Sequence, residues 1–133
     1  MMQILQPPGW ARAKGFANGI AASGKLVFIA GQVGWTGQGK WEANDFAGQF
    51  RQTLANIIEV LAQAGGKPQH IVRLTWYVID KQEYLAALKD VGTAYRALMG
   101  RHFPTMAVVQ VGGLIEPEAR LEIEATAVIP EAS

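Results

Sequence analysis

Residues 70–80 read HIVRLTWYVID, and no other stretch narrows the possible folds as much. The run is β-branched and aromatic, follows Pro68, and is too short for an average helix. As a strand it divides into Ile71, Arg73, Thr75, Tyr77 and Ile79 on one side and Val72, Leu74, Trp76 and Val78 on the other. Both sets are substantially apolar, which predicts a central strand covered on both faces. The remaining sequence must supply two layers of cover.

One layer is visible. From Asp45, an N-cap residue, Phe46, Phe50, Leu54, Ile57, Ile58 and Leu61 recur at helical spacing until Gly65-Gly66 stops the helix. Asp80 and Glu83 have capping-box spacing, and Tyr84, Leu88, Val91, Tyr95 and Leu98 then mark a second helix ending at Gly100. Two apolar runs in GFANGIAASGKLVFIAGQV are split by Ser23-Gly24, which predicts a hairpin. FPTMAVVQV and ARLEIEATAV alternate as strands, and GGLIEPE between them reads as a second hairpin connection. The resulting order is ββαβαββ in one α+β domain spanning residues 1–133.

The second layer is missing. Two helices cover one face of such a sheet, and several strands are apolar on both faces, so another copy of the chain is the economical cover. The pattern therefore predicts a closed homo-oligomer, independently of any family.

Composition narrows the chemistry. Half of the residues are hydrophobic and 17% are charged, as in a soluble globular domain. The 12 Lys and Arg against 11 Asp and Glu provide no basic stripe for nucleic acid. Cysteine is absent, which removes disulfides, thiolate metal sites and cysteine nucleophiles. The N-terminal MMQILQPPGW lacks the features of a signal peptide, and no apolar run approaches the ~18 residues of a membrane span. The expected location is cytoplasmic.

The loop GWTGQGK at 34–40 matches the core of a phosphate-binding loop, but Trp41 follows where Ser or Thr should hold magnesium, and the helix begins several residues too late. A glycine-rich connection with Trp35 and Trp41 as apolar anchors is the better reading. His70 and His102 are the only imidazoles and are not ligand-spaced; His70 reads as a solvated residue at the start of its strand. The serines, Ser23 in the expected turn and Ser133 at the end, assemble no nucleophile. What remains is RLEIEA, with Arg120, Glu122 and Glu124 on one strand face. Such a face is ordinarily a solvated set of weak charge pairs. Subunit assembly burying it would instead leave one Glu in a cleft suited to proton transfer.

Taken together, GFANG, VFIAGQV, HIVRLTWYVID, HFP and LEIEATAV resemble the Rid family, also called the YjgF or reactive-intermediate deaminase family, from about Gly15 to Val128. The resemblance implies a chorismate-mutase-like protomer with helices on one face of a mixed sheet. It also implies a homotrimer with a central barrel and three intersubunit clefts that bind a small molecule without metal or organic cofactor. Active members hydrolyse reactive enamines and imines to 2-oxo acids and ammonia. By the same resemblance, Glu122 matches the glutamate that positions the hydrolytic water, and Phe16 matches a cleft aromatic that is often tyrosine. Ala30, Gly31 and Gln32 match a corner that is commonly Ser-Gly-Gln. Met106 stands where active members carry the arginine that clamps the substrate carboxylate.

A thioether offers no bidentate cationic fork, and Phe16 and Ala30 have each lost a hydroxyl, so the implied cleft is more apolar than the family pattern. Arg73, Arg12, Lys14 and Arg120 are the cations available to compensate. Two function classes follow. One is a deaminase for an enamine or imine larger or less polar than the usual small acids, held by Phe16, Met106 and Trp35. The other is a non-catalytic trimer that binds a carboxylate or apolar amine or acts as a chaperone-like surface. Ribonuclease activity ranks last, because the charge is near neutral and no His pair or His-Lys pair is present.

Overall fold

The computed structural model describes residues 2–131; Ser133 lies outside them. In chain order it contains strands β1 (Met2–Leu5), β2 (Gly19–Ala22) and β3 (Lys25–Gln32) and helix α1 (Phe46–Ala62). Strand β4 (Ile71–Val78), helices α2 (Lys81–Ala86) and α3 (Leu88–Met99), and strands β5 (Thr105–Gln110) and β6 (Leu121–Ile129) follow. A 3-10 turn at Pro68–His70 leads into β4.

The HIVRLTWYVID run forms β4, and it is central, in a mixed sheet of order β3-β6-β4-β5. β4 runs parallel to β5 and antiparallel to β6, and β3 pairs antiparallel with β6. One face of this sheet is covered by α1 and α3. Asp45 caps α1 by accepting from the Gly48 amide at 3.2 Å. The spacing of Phe50, Leu54, Ile57 and Leu61 then aligns them on one stripe, where all four are fully buried. They meet Leu74, Trp76 and Val78 of β4 and Leu121 and Ile123 of β6, all buried. Phe50 stacks on Trp76 with ring centroids 4.8 Å apart, which joins α1 to β4.

The opposite face has no covering layer among the described residues. Phe28 is 76% and Leu26 60% exposed there. Arg73 is exposed and Thr75 and Tyr77 are half-buried, so β4 is covered on one side only within a single copy, not on both. The expected alternation holds from Arg73 to Val78 but not before it: a register shift between Ile71 and Arg73 turns Ile71, expected beside Arg73, into the helix-side core, where it is fully buried. The open-face set has no layer among the described residues to meet it.

Three local expectations fail. The runs flanking Ser23-Gly24 are strands, but β2 pairs with β1 in a separate two-stranded sheet while β3 pairs with β6. Gly24 has φ 147°, and a Cβ there would run into the Ile129 carbonyl. The glycine therefore serves a close passage past the end of β6, not a hairpin turn. The segment between β5 and β6 is no hairpin either, because β6 lies beyond β4. The second helix is broken into α2 and α3, with Ala87 outside helical geometry at φ −98° and ψ 5°. None of the described helices is long and apolar enough to cross a membrane.

Candidate functional site

The pairing of β3 with β6 slips near its end. Ile29 faces Ala125 but Gln32 faces Ile123, so Ala30 and Gly31 together oppose the single residue Glu124. A bulge of this kind bends a strand and re-aims its neighbours. Here it brings the backbone of Gly31 under the side chain of Glu122: a Cβ at Gly31 would overlap the carboxylate, and even Cδ would be only 2.9 Å away. Glycine at 31 is therefore what lets the half-buried Glu122 lie across the strand.

Glu122 opens into a groove of about 370 Å³ lined by Gly31, Tyr77, Glu124, Val111, Gly113 and Leu114. Tyr77 is directly opposite Glu122 in the sheet register, and its hydroxyl donates to Glu124 Oε1. That bond raises the Tyr77 phenol above its usual value, with the negative charges of Glu124 and Glu122 acting in the same sense and Arg73 opposing them. Glu124 is thus engaged by a phenol, while no described side chain hydrogen-bonds Glu122. Carboxylates two apart on one strand consequently sit in different environments. Alternation could have placed Tyr77 with Arg73 and Thr75, but its position across from Glu122 depends on a strand register that the sequence does not display.

The other expected site residues do not join this groove within one copy. Met106 pairs with Leu74 and so points to the helix side of the sheet, opposite to Glu122. It is half-buried and lines a groove of about 350 Å³ with Trp76, Tyr84, Phe103 and Val108. Phe16, 41% exposed, lines a third groove with Trp10, Arg12, Arg101 and Phe103. It is held beside β5 because the next residue, Ala17, donates its amide to the Pro104 carbonyl at 3.0 Å. Gln32 points to the α1 side near Trp35, and its Nε2 donates to the Ala30 carbonyl at 3.2 Å. The six expected residues thus occupy several surfaces, with Gly31 and Glu122 brought into contact.

The four candidate cations also separate. Arg120 is committed: it pairs with Glu83 at 2.5 Å and donates to the Asn44 carbonyl at 2.5 Å, tying α2 to the loop before α1. Arg73 lies on the open sheet face with Tyr77 and Glu122, but four residues along the strand from Tyr77, roughly 13 Å at the usual rise. Arg12 lines the Phe16 groove and Lys14 the Met106 groove. The histidines are structural. His70 is half-buried rather than solvated, and its Nδ1 accepts from the Lys67 amide at 3.0 Å. Burial, then the charges of Lys67 and His102, lower its pKa. His102 Nε2 donates to the Ile71 carbonyl at 2.6 Å. In the 34–40 loop the amides of Gln38 and Lys40 turn inward onto Thr36 Oγ1, as suits a closed connection rather than a phosphate cradle.

The fold and this geometry define an α+β protein that holds a carboxylate over a glycine bulge on an open sheet face. Comparison with known proteins places it further. The family described as endoribonuclease L-PSP matches residues 10–129, and the chain belongs to that family, whose members are also called Rid or YjgF proteins. A 2-iminobutanoate/2-iminopropanoate deaminase of Salmonella typhimurium is 32% identical over 108 residues, covering 79% of this chain and 80% of the relative. Among solved structures, the Rid-family protein YyfB of Yersinia pestis, described as of unknown function, superposes with a TM-score of 0.85 at 32% identity. That superposition covers 96% of this chain and 98% of the other. The YjgF product of E. coli gives 0.67 at 32% identity, covering 81% and 84%.

Proposed function

We propose that the chain is a hydrolytic deaminase of reactive enamines or imines, working in clefts between the copies of a homotrimer. The observation that carries this reading is the seating of the Glu122 carboxylate over Gly31, on an open sheet face whose exposed Phe28 and Leu26 suit a contact with another copy. The deaminase name of the Salmonella relative supports the same class of reaction. Met106 and Glu122 lie on opposite faces of one sheet, so the cleft joins Glu122 of one copy to the Met106 groove of the next.

In this reading Glu122 takes a proton from a water as the water oxygen adds to the imine carbon, giving a carbinolamine. Glu122 hands that proton to the imine nitrogen as the neutral carbinolamine forms, then takes the carbinolamine hydroxyl proton and delivers it to the amino nitrogen as the C=O bond forms, the C–N bond breaks and ammonia leaves a carbonyl product. Gly31 offers its backbone close to the reacting atoms without a side chain in the way.

Met106 sets the limit on substrate. A charge-assisted bidentate contact contributes at least a few kcal/mol, so a small 2-imino acid that relied on one loses roughly a hundredfold here. The favoured substrates are larger or less polar. Met106 also favours a second reading, a trimer that binds a small metabolite without turning it over. A coupled assay separates the two: an amino-acid oxidase or dehydratase generates a panel of imines and ammonia release is followed. Acceleration that disappears in Glu122→Gln supports the deaminase. No acceleration with any imine, beside a ligand-induced rise in melting temperature, supports the binding protein.

A further inference from the structure

The groove at Met106 differs in chemistry from the groove at Glu122. Its walls are the thioether of Met106, the side chain of Val108, and the rings of Phe103, Tyr84 and Trp76. Trp76 is nearly fully buried, stacked on Phe50 and edge to face with Tyr84 at 5.9 Å, so the surfaces left to be matched are the half-buried rings of Tyr84 and Phe103 and the polarizable sulfur of Met106. At about 350 Å³ the space is near the lower end for small-molecule sites, fitting a single ring with a short arm.

Charge marks the remainder. Lys14 and Arg96 line the groove, and no acidic residue does. The Arg96 guanidinium lies back over Gly92, where a Cβ would stand 3.3 Å from Nη1. Trp76 is 3% exposed, and its indole N–H has no hydrogen-bond partner among the described residues.

We infer that the Met106 groove selects aromatic carboxylates, the 2-imino and 2-oxo acids with a single-ring side chain, seating the ring against Met106 and Phe103 and the carboxylate toward Lys14 and Arg96. The inference rests on the reading of this groove as half of the reaction cleft, and it names the substrate class of that cleft. The two cations replace a bidentate clamp with a looser field, while the ring supplies the apolar contact that a three-carbon acid lacks.

Isothermal titration calorimetry of the full chain with phenylpyruvate and with pyruvate tests it. Phenylpyruvate is expected to bind roughly tenfold or more tightly than pyruvate. Lys14→Ala is expected to weaken phenylpyruvate several-fold, and Met106→Arg to narrow the difference between the two acids. Equal affinity, tighter pyruvate, or indifference to Lys14→Ala overturns the inference. The deaminase reading fails separately: tight phenylpyruvate binding with no imine hydrolysed leaves the ligand class standing and removes the reaction. Equal hydrolysis of the imines of alanine and phenylalanine leaves the reaction standing and removes the ligand class.

Discussion

Gly31→Ala separates a role in catalysis from a role in folding. The added Cβ would stand 2.9 Å from Cδ and 3.1 Å from Cγ of Glu122, with a carboxylate oxygen nearer still. Ordinary carbon contacts begin near about 3.5 Å, so the carboxylate has to move by roughly 1 Å. The backbone itself accepts the substitution, because Gly31 is not in the left-handed region. An off-rotamer Glu costs about 0.5–1.5 kcal/mol, partly offset by the ~0.4–1 kcal/mol that Gly to Ala recovers from the unfolded chain. Net stability then changes by less than ~1 kcal/mol, a few degrees of melting temperature. Catalysis responds differently, since a misplacement of ~1 Å costs about a hundredfold in rate. The assay is ammonia release from the best imine of the panel, read beside a thermal melt of the same sample. A variant that keeps both the wild-type rate and the wild-type melting temperature refutes the role given to the Gly31–Glu122 contact.

Three further outcomes follow from the same structure. Phe28→Glu places charge on the exposed sheet face; under the proposed trimer, burial of each Phe28 contributes about 1.5–3 kcal/mol, so native mass spectrometry of the variant is expected to show monomer where the wild type shows trimer. Arg120→Ala breaks the pair with Glu83 and should lower stability by about 1 kcal/mol, discounted for partial exposure. It should leave kcat/KM of the folded protein unchanged, whereas a raised KM would show that Arg120 reaches substrate. Tyr95 donates to the His102 carbonyl at 2.6 Å, and burial raises its pKa well above 10. Its neutral form is favoured in the folded state, so its contribution is complete below pH 10 and declines above it. Melting temperatures between pH 9 and 11 should fall less steeply in Tyr95→Phe than in the wild type.

How much of this was legible in the sequence differs with the range of the interaction. The periodicities of α1 and β4 are local, and Phe50, Leu54, Leu74 and Trp76 are buried as their spacing requires. The partners of β2 and β6 are not local. Ser23-Gly24 looks like a hairpin turn, yet Gly24 answers to the Ile129 carbonyl more than a hundred residues away. The break at Ala87 carries no glycine or proline, and neither residue type announces it. At the site, Glu122 and Gly31 were each identifiable by resemblance, but their contact depends on the bulge between Ile29 and Gln32. The aromatic groove at Met106 likewise combines α2, α3, β4 and β5, and no single stretch contains its pattern.

The central claim is a reaction cleft that takes Glu122 from one copy and the Met106 groove from the next, and mixed oligomers test it most directly. Glu122→Gln removes the base, and Met106→Glu sets a negative charge against the ligand carboxylate, so each pure variant should be inactive. Co-refolded at equal ratio, they assemble at random, and about a quarter of all clefts in the population combine an intact Glu122 with an intact Met106. Recovery of about that fraction of wild-type ammonia release is the predicted result. Activity no greater than that of the two variants assayed apart would contradict the account, because it would place both residues in a cleft formed by a single chain.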